Sequence, residues 1–321
     1  MDNTYASGVA VDLSVVIVNW NVCDLLRRCL LSINQSRASL GIETIVVDSA
    51  SSDGSVEMVR REFPWVRLVA SRENLGYAGG NNLGMAKAKG RYSLILNPDT
   101  KIEDDALAEM VRYLDEHPRV GGLGPALRYP DGAPQPSRRR FPTLATAFCE
   151  STLLHQWFPN NRVARRYHLA DRPADVAQPV DWLVGAALMI RREAWQQVGP
   201  LDEGFFMYFE EVDWCRRCRA AGWEIVYLPS AGIIHYEGKS SEQVATARTI
   251  RFQRSKIRYY RKYFGAVWSL IIRVFLLGTF AIQLGEESLK WLVGHSRALR
   301  RERMTSYWQV LKSGLAADGG G

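Results

Sequence analysis

Leu94-Ile95-Leu96-Asn97-Pro98-Asp99-Thr100 is an apolar run that passes straight into a proline-stiffened turn carrying one acidic side chain. A short apolar run closed by such a turn reads as a buried strand. In open α/β sheets, ligands occupy the crevice beyond the carboxyl ends of the strands, and Asp99 stands at such an end. Two further segments repeat the pattern. Upstream, Glu43-Thr44-Ile45-Val46-Val47-Asp48-Ser49-Ala50-Ser51-Ser52-Asp53-Gly54-Ser55 is a strand ending in a hydroxyl- and acid-rich turn. Downstream, Phe205-Phe206-Met207-Tyr208-Phe209-Glu210-Glu211-Val212-Asp213-Trp214 sets three carboxylates among aromatics, and His235 follows the next strand.

Around these segments the chain alternates strand and helix. Leu13–Asn21 reads as a buried first strand, and Asp24–Ser36 repeats apolar residues at helical spacing through Leu25, Leu26, Cys29, Leu30 and Ile33. Strands at Thr44–Val47, Val66–Ala70 and Tyr92–Leu96 and helices at Val56–Phe63, Asn81–Lys89 and Ala106–Glu116 follow. This alternation predicts a mostly parallel sheet with flanking helices. Arg128–Pro142, rich in Pro, Gly and Arg, reads as a long loop, and Asp181–Ile190 and Glu224–Tyr227 as further strands.

With 321 residues, 47% of them hydrophobic, the chain can build one large α/β domain and an appendage, which excludes disordered and fibrous classes. A net charge of +7 favours anionic partners without choosing among nucleic acid, lipid and phosphorylated substrates. Five cysteines are too few for a disulfide framework and suit a reducing compartment. The lone Cys215-Arg216-Arg217-Cys218 is read as helix packing rather than a redox or metal motif. No basic region precedes the first apolar run, so that run is a strand and not a signal peptide.

Taken together, the three segments resemble the family 2 glycosyltransferases with the GT-A fold, in order and spacing over about residues 11–265, and within them the rhamnosyltransferase-like branch of bacterial cell-surface polysaccharide synthesis. The resemblance implies a Rossmann-like GT-A catalytic domain at 11–247 (nucleotide half 11–120, acceptor half 121–247). A flexible N-terminus at 1–10 precedes it, and a basic and apolar membrane-associating helical region follows at 248–321. It implies transfer of a sugar from a nucleoside diphosphate with inversion, at a divalent cation, Mn2+ or Mg2+.

The same resemblance distributes roles. Asn19 and Asp48 fall on the nucleotide, as do Arg72, Asn74, Gly79 and Gly80 of Arg72-Glu73-Asn74-Leu75-Gly76-Tyr77-Ala78-Gly79-Gly80-Asn81-Asn82, where the glycines are expected at a helix N-terminus that admits an anion. Asp53 serves equally as a helix cap or a ligand contact. Asn97-Pro98-Asp99 stands where relatives carry Asp-x-Asp, so Asp99 is expected on the metal and Asn97 on ribose or water. His235, in His235-Tyr236-Glu237-Gly238-Lys239-Ser240, resembles a His-x-x-Gly-x-Ser element whose histidine joins the acid on the metal, which moves the preference toward manganese. Glu211 aligns with the catalytic base of a Glu-Asp pair, 24 residues before His235 (235 − 211). Glu210 and Asp213 stay as acceptor-side candidates, Asp213 also as a helix-terminus charge or a partner of Arg216 or Arg217. Arg139 and Arg140 of an Arg-Arg-Phe-Pro element suit diphosphate oxygens or a solvated basic loop. Gly185 leaves room for the sugar, and Trp182 is either a stacking face or core.

Expected partners are a nucleotide-sugar donor, dTDP-rhamnose first, and a polyprenyl-diphosphate-linked saccharide acceptor, at the cytoplasmic face of the inner or plasma membrane. A UDP- or GDP-sugar donor is the alternative. The apolar run Ala266–Leu284, interrupted by Arg273 and preceded by a basic and aromatic stretch, fits a peripheral or monotopic helix on an anionic membrane surface, or a helix covered in a homodimer. Nucleic acid is not expected, because it leaves the carboxylates without a purpose. A nucleotidyltransferase would place a glycine-rich loop with a lysine or arginine after the first strand, where this chain has Asn19-Trp20-Asn21-Val22. A catalytically silent sugar-nucleotide-binding module would have no use for Glu211 beside Asp99 and His235.

Overall fold

A computed structural model describes residues 11–36, 40–150, 152–236, 245–294 and 296–316. The expected flexible segment 1–10 and the Glu237–Ser240 part of the histidine element lie outside the described residues. The chain divides into two compact units. The first comprises the described residues within Met1–Phe141, Arg172–Gly204 and Glu210–Ser240; the second, those within Pro142–Asp171, Phe205–Phe209 and Ser241–Gly321. The C-terminal unit thus also draws in two internal segments that a boundary at 247/248 assigns to the catalytic domain.

In the first unit, β1 (Leu13–Asn19), α1 (Cys23–Ser36), β2 (Ile42–Ser49), α2 (Ser55–Glu62), β3 (Arg67–Ser71), α3 (Gly76–Met85) and β4 (Tyr92–Leu96) alternate as the hydrophobic pattern predicts. β5 (Thr100–Ile102), α4 (Ala106–Glu116), β6 (Val120–Arg128), β7 (Pro134–Gln135) and β8 (Arg138–Arg139) follow. The short helices α5 (Leu144–Cys149), α6 (Leu153–Trp157) and α7 (Arg162–Tyr167) belong to the second unit. The first unit resumes with β9 (Gln178–Pro179), β10 (Trp182–Leu183), β11 (Ala187–Arg191), α8 (Arg192–Val198), α9 (Glu210–Ala220) and β12 (Glu224–His235).

The main sheet runs β3-β2-β1-β4-β11-β6-β12-β5. β3, β2, β1 and β4 are mutually parallel, whereas β11 is antiparallel to both β4 and β6. Leu13, Val15, Ile17, Val46 and Leu94 pack with Leu26, Leu30 and Ile33 of α1 in a core closed to water. Strands covered on both faces need this continuous apolar character. The chain reverses order around β1, which has β2 on one side and β4 on the other, so the carboxyl ends of β1, β2, β3 and β4 open on one edge at a topological switch point.

Three expectations are corrected here. α3 begins at Gly76, not at Asn81, so Gly79 and Gly80 lie inside the helix and not at its N-terminus. The expected loop 128–142 carries β7, paired with β6, and β8, paired with β10. The expected strand 181–190 is broken, because β10 joins β8 in a separate two-stranded sheet while β11 returns to β4 and β6, leaving a turn at 184–186.

The second unit holds α10 (Ala245–Phe264), α11 (Ala266–Leu292) and α12 (Arg297–Ser313). Tyr208 and Phe209 both adopt left-handed backbone, with φ of 72° and 70°. Such backbone is costly for bulky residues, and it is held by rings of α10: Phe252 lies 5.6 Å from each, and Tyr259 lies 5.4 Å from Phe209. Lys256 is buried and donates to the Glu150 carbonyl at 2.8 Å; burial lowers its pKa to about 8.

Among the described residues, α11 is the helix long and apolar enough to cross a membrane, by length and composition. One side of it, including Ile272, Leu276, Thr279, Phe280 and Glu287, is buried within the unit, and the other exposes Val267, Leu270, Ile271, Val274, Ile282 and Leu289. Arg273 does not extend freely: its Nε donates to the Gly314 carbonyl at 2.7 Å, just past the end of α12. Glu287 pairs with Arg300 at 2.8 Å. Of the basic residues of α10, Arg251 lies over the Phe206 ring, and Arg258 and Lys262 lie over Phe205.

Candidate active site

The open edge of the first unit begins with Asn19 and Asp48, register partners at the ends of β1 and β2. Asp48, 1% exposed, accepts from Asn19 Nδ2 at 2.8 Å and from the Ser51 backbone N–H at 2.9 Å. Asn21 Oδ1 accepts from the Ser52 N–H at 2.8 Å. The carboxylate therefore braces the two loops, and Asn19 Oδ1, buried and without a hydrogen-bond partner in the protein, is left as an acceptor. Asp53 caps helices: its oxygens take the Cys23 N–H at 2.7 Å and the Ser55 N–H at 3.1 Å.

The glycine-rich segment has a different physical basis from the expected one. Asn74 Oδ1 accepts from the Gly76 N–H at 3.0 Å and so starts α3, and Gly76 takes φ of 68°. A Cβ at Gly80 would stand 2.7 Å from Val18 Cγ1, so this glycine permits close packing of α3 on β1. Gly79 meets nothing nearer than 3.6 Å. Arg72 is exposed beyond β3.

Asn97 and Asp99 sit in the turn between β4 and β5, and His235 closes β12 directly across from Thr100. The Tyr236 N–H donates to the Asp99 carbonyl at 2.9 Å. His235 Nε2 lies 3.4 Å from Asp99 Oδ1 and 3.4 Å from Asn97 Nδ2. On the other side of the ring, His235 Nδ1 is 2.9 Å from Gln135 Oε1. A donated Nδ1–H on that amide oxygen leaves the Nε2 lone pair facing Asp99, which is how a metal-ligating imidazole is usually oriented. Asp99 and His235 are both buried, at 3% and 6% exposed. Their carboxylate and imidazole fit a divalent cation; no group of three or more His, Cys, Asp or Glu side chains arranged for a metal exists among the described residues, so further ligands would come from substrate or water. Gln135 was not singled out from sequence, because its two-residue strand carries no local signal. Cys29 lies under this turn, its thiol 3.5 Å from Thr100 Oγ1 and pushed up to about 12 by burial.

Glu210 and Glu211 open α9. Glu210 is 3% exposed, its Oε2 finds no partner, and burial together with the Glu211 charge raises its pKa well above the carboxylate range. Glu211 is the more exposed of the two. Its side chain abuts Gly185 in the turn between β10 and β11, where an added Cβ would come 3.6 Å from Glu211 Cβ and Cγ. The next residue, Ala186, accepts from the Asn97 N–H at 2.9 Å. Asp213 turns away from this edge: it is fully buried and bonded to Arg217 Nε at 2.9 Å, which makes it a structural ion pair and not an acceptor contact. Trp182 is buried and donates its indole N–H to the Arg140 carbonyl at 2.9 Å. It is therefore core, not a stacking face, and pairs across β10–β8 with Arg139. Cys215 and Cys218 are buried free thiols on α9, as helix packing requires.

An acid-bearing turn, a histidine on the neighbouring strand and a carboxylate pair thus stand at the open edge of this α/β sheet. The sequence model of the family described as Glycosyl transferase family 2 matches residues 14–198, and the chain belongs to this family. It is 31% identical over 282 residues to the N-acetylglucosaminyl-diphospho-decaprenol L-rhamnosyltransferase of Mycobacterium tuberculosis, covering 84% of this chain and 91% of that one. It is 28% identical over 171 residues to the rhamnosyltransferase WbbL of Escherichia coli K12, covering 50% of this chain and 61% of that protein. The mannosyltransferase PcManGT from Pyrobaculum calidifontis, solved with GDP-Man and Mn2+, superposes with a TM-score of 0.55 at 18% identity over 96% of this chain and 88% of its own, which confirms the GT-A architecture. The chain is thus a glycosyltransferase, as the motifs imply.

Proposed function

We propose that this glycosyltransferase moves L-rhamnose from dTDP-rhamnose, with inversion, to a hydroxyl of a polyprenyl-diphosphate-linked saccharide. The observation that carries the chemistry is the meeting of Asn97, Asp99 and His235 with Glu211 across the Gly185–Ala186 turn. The sugar and the lipid-linked acceptor rest on likeness to the mycobacterial enzyme along most of both chains. Asn19 Oδ1 offers an acceptor to a nucleotide N–H or hydroxyl, with Asp48 holding it in place. Asp99 and His235 would hold a divalent cation, which when bound would supply positive charge to the departing diphosphate. Glu211 takes the proton of the acceptor hydroxyl as its oxygen attacks the anomeric carbon, and the nucleoside diphosphate leaves on the opposite side. Burial and the neighbouring Glu211 raise the pKa of Glu210, which disfavours a second negative charge in the pair. The exposed face of α11 rests on the anionic cytoplasmic surface of the membrane.

Products are identified by mass spectrometry from a panel of dTDP-, UDP- and GDP-sugars with a lipid-diphosphate-linked N-acetylglucosamine acceptor. Rhamnosyl product with dTDP-rhamnose is expected, and exclusive use of a UDP- or GDP-hexose would reassign the donor. Asp99→Asn is expected to abolish the Mn2+ dependence of nucleotide binding in calorimetry. Full turnover in the presence of chelator would remove the metal from Asp99 and His235.

A further inference from the structure

Tyr77 lies in the first turn of α3, within the glycine-rich segment, and no role above uses it. Its hydroxyl donates to the Gly185 carbonyl, 108 residues away in sequence. A Cβ built on Gly185 would stand 3.2 Å from Tyr77 Oη and 3.6 Å from Glu211 Cβ and Cγ, so hydroxyl, glycine and glutamate are packed against one another with no methyl group to spare. The adjoining Ala186 carbonyl takes the Asn97 N–H. The two carbonyls of this one turn are therefore held by Tyr77 and by the residue that opens the Asn97–Asp99 turn. Withdrawal from water, reinforced by nearby carboxylate charge, raises the pKa of the Tyr77 hydroxyl well above 10.0. The phenol stays protonated and serves as a donor, not as a base or nucleophile.

We propose that Tyr77 is a positioning residue of the transfer reaction: its hydroxyl clamps the Gly185–Ala186 turn, and the clamped turn sets where Glu211 stands relative to Asn97 and Asp99. The proposal rests on the reading of Glu211 as the base. A phenylalanine would fill the ring volume but release the turn, and misplacement of a catalytic group by a fraction of an ångström is felt in turnover before it is felt in binding. Gly185 is the other half of the clamp. An alanine there presses on the Tyr77 hydroxyl, whereas with phenylalanine at 77 the space of that hydroxyl becomes free for the methyl group.

The full chain is compared as wild type, Tyr77→Phe, Gly185→Ala, the double variant and Glu211→Gln, by kcat, acceptor KM, dTDP affinity in calorimetry with Mn2+, and thermal unfolding. The donor sugar is whichever nucleotide sugar supports turnover. Tyr77→Phe is expected to lower kcat by about 10–100-fold with dTDP affinity and unfolding temperature held near wild type. Gly185→Ala lowers kcat as well, and the double variant is expected to be no slower than Gly185→Ala alone. A wild-type kcat in Tyr77→Phe, a loss of nucleotide affinity or unfolding temperature that parallels its loss of kcat, or simple additivity of the two changes would overturn the clamp. Failure of the functional reading gives a different result: wild-type turnover in Glu211→Gln removes the base, and with it the group that Tyr77 is held to position.

Discussion

Two adjacent glutamates at the start of α9 differ in exposure. Neighbours on a helix point about 100° apart, so Glu210 turns into the protein while Glu211 remains the more exposed and meets Gly185. Glu211→Gln removes the basic lone pair at constant size and is expected to lower kcat by about 10²–10⁴-fold, with donor affinity preserved. Glu210→Gln is expected to cost much less turnover, and a larger loss there than at Glu211 would transfer the role of base. Glu210 also leaves a mark on stability. Its folded-state pKa is raised above the ordinary 4.5 by burial and by Glu211. The folded protein therefore binds a proton that the unfolded chain has already released. Stability from this group is complete below pH 4.5 and is lost as pH climbs through the raised value. The glutamine variant escapes that loss, so its unfolding temperature should gain on wild type steadily above pH 4.5. Parallel unfolding curves for the two proteins between pH 5 and 9 would show that Glu210 is not held neutral.

At the scale of the element, α3 shows how a glycine-rich segment can be misassigned by motif and corrected by packing. The two central glycines were expected to receive an anion at a helix start, yet the helix starts at Gly76 and they lie within it. At Gly80 a methyl group would meet both γ-carbons of Val18 at 2.7 and 2.8 Å. Valine is stiff at χ1 and cannot swing aside, so Gly80→Ala is expected to destabilise the protein by about 1–3 kcal/mol, as overpacking does. Gly79→Ala meets only ordinary contacts, the nearest at 3.6 Å. There the higher helix propensity of alanine, worth about 1 kcal/mol, should raise stability or leave it unchanged. Urea denaturation of the two variants distinguishes the positions, and equal effects at both would refute the packing role of Gly80. The broken strand at 181–190 carries the same lesson, since its interruption is what creates the Gly185–Ala186 turn.

For the whole molecule, net charge and exposed apolar surface together bear on partners. A charge of +7 and the exposed face of α11 suit an anionic bilayer, and the proposed membrane placement predicts sedimentation with anionic vesicles that weakens as salt rises. Val274→Glu and Ile282→Glu, both at exposed positions, should abolish sedimentation while leaving turnover on a water-soluble acceptor intact. Unchanged sedimentation would move the membrane contact elsewhere, and a change in oligomeric state would assign the face to a second copy of the chain. The sequence by itself determined the alternation of strands and helices, the buried character of β1, β2 and β4, and the placement of Asn19, Asp48, Asn97 and Asp99 at strand ends. These follow from local periodicity and turn chemistry, which act within a few residues. Only the tertiary structure decided that Gln135 stands behind His235, that Trp182 and Asp213 are bound inside, that Arg273 is bonded to Gly314, and that Tyr77 grips Gly185. Each of these depends on strand register or side-chain packing between segments distant in the chain, and no local preference encodes which distant backbone group will stand opposite a given side chain.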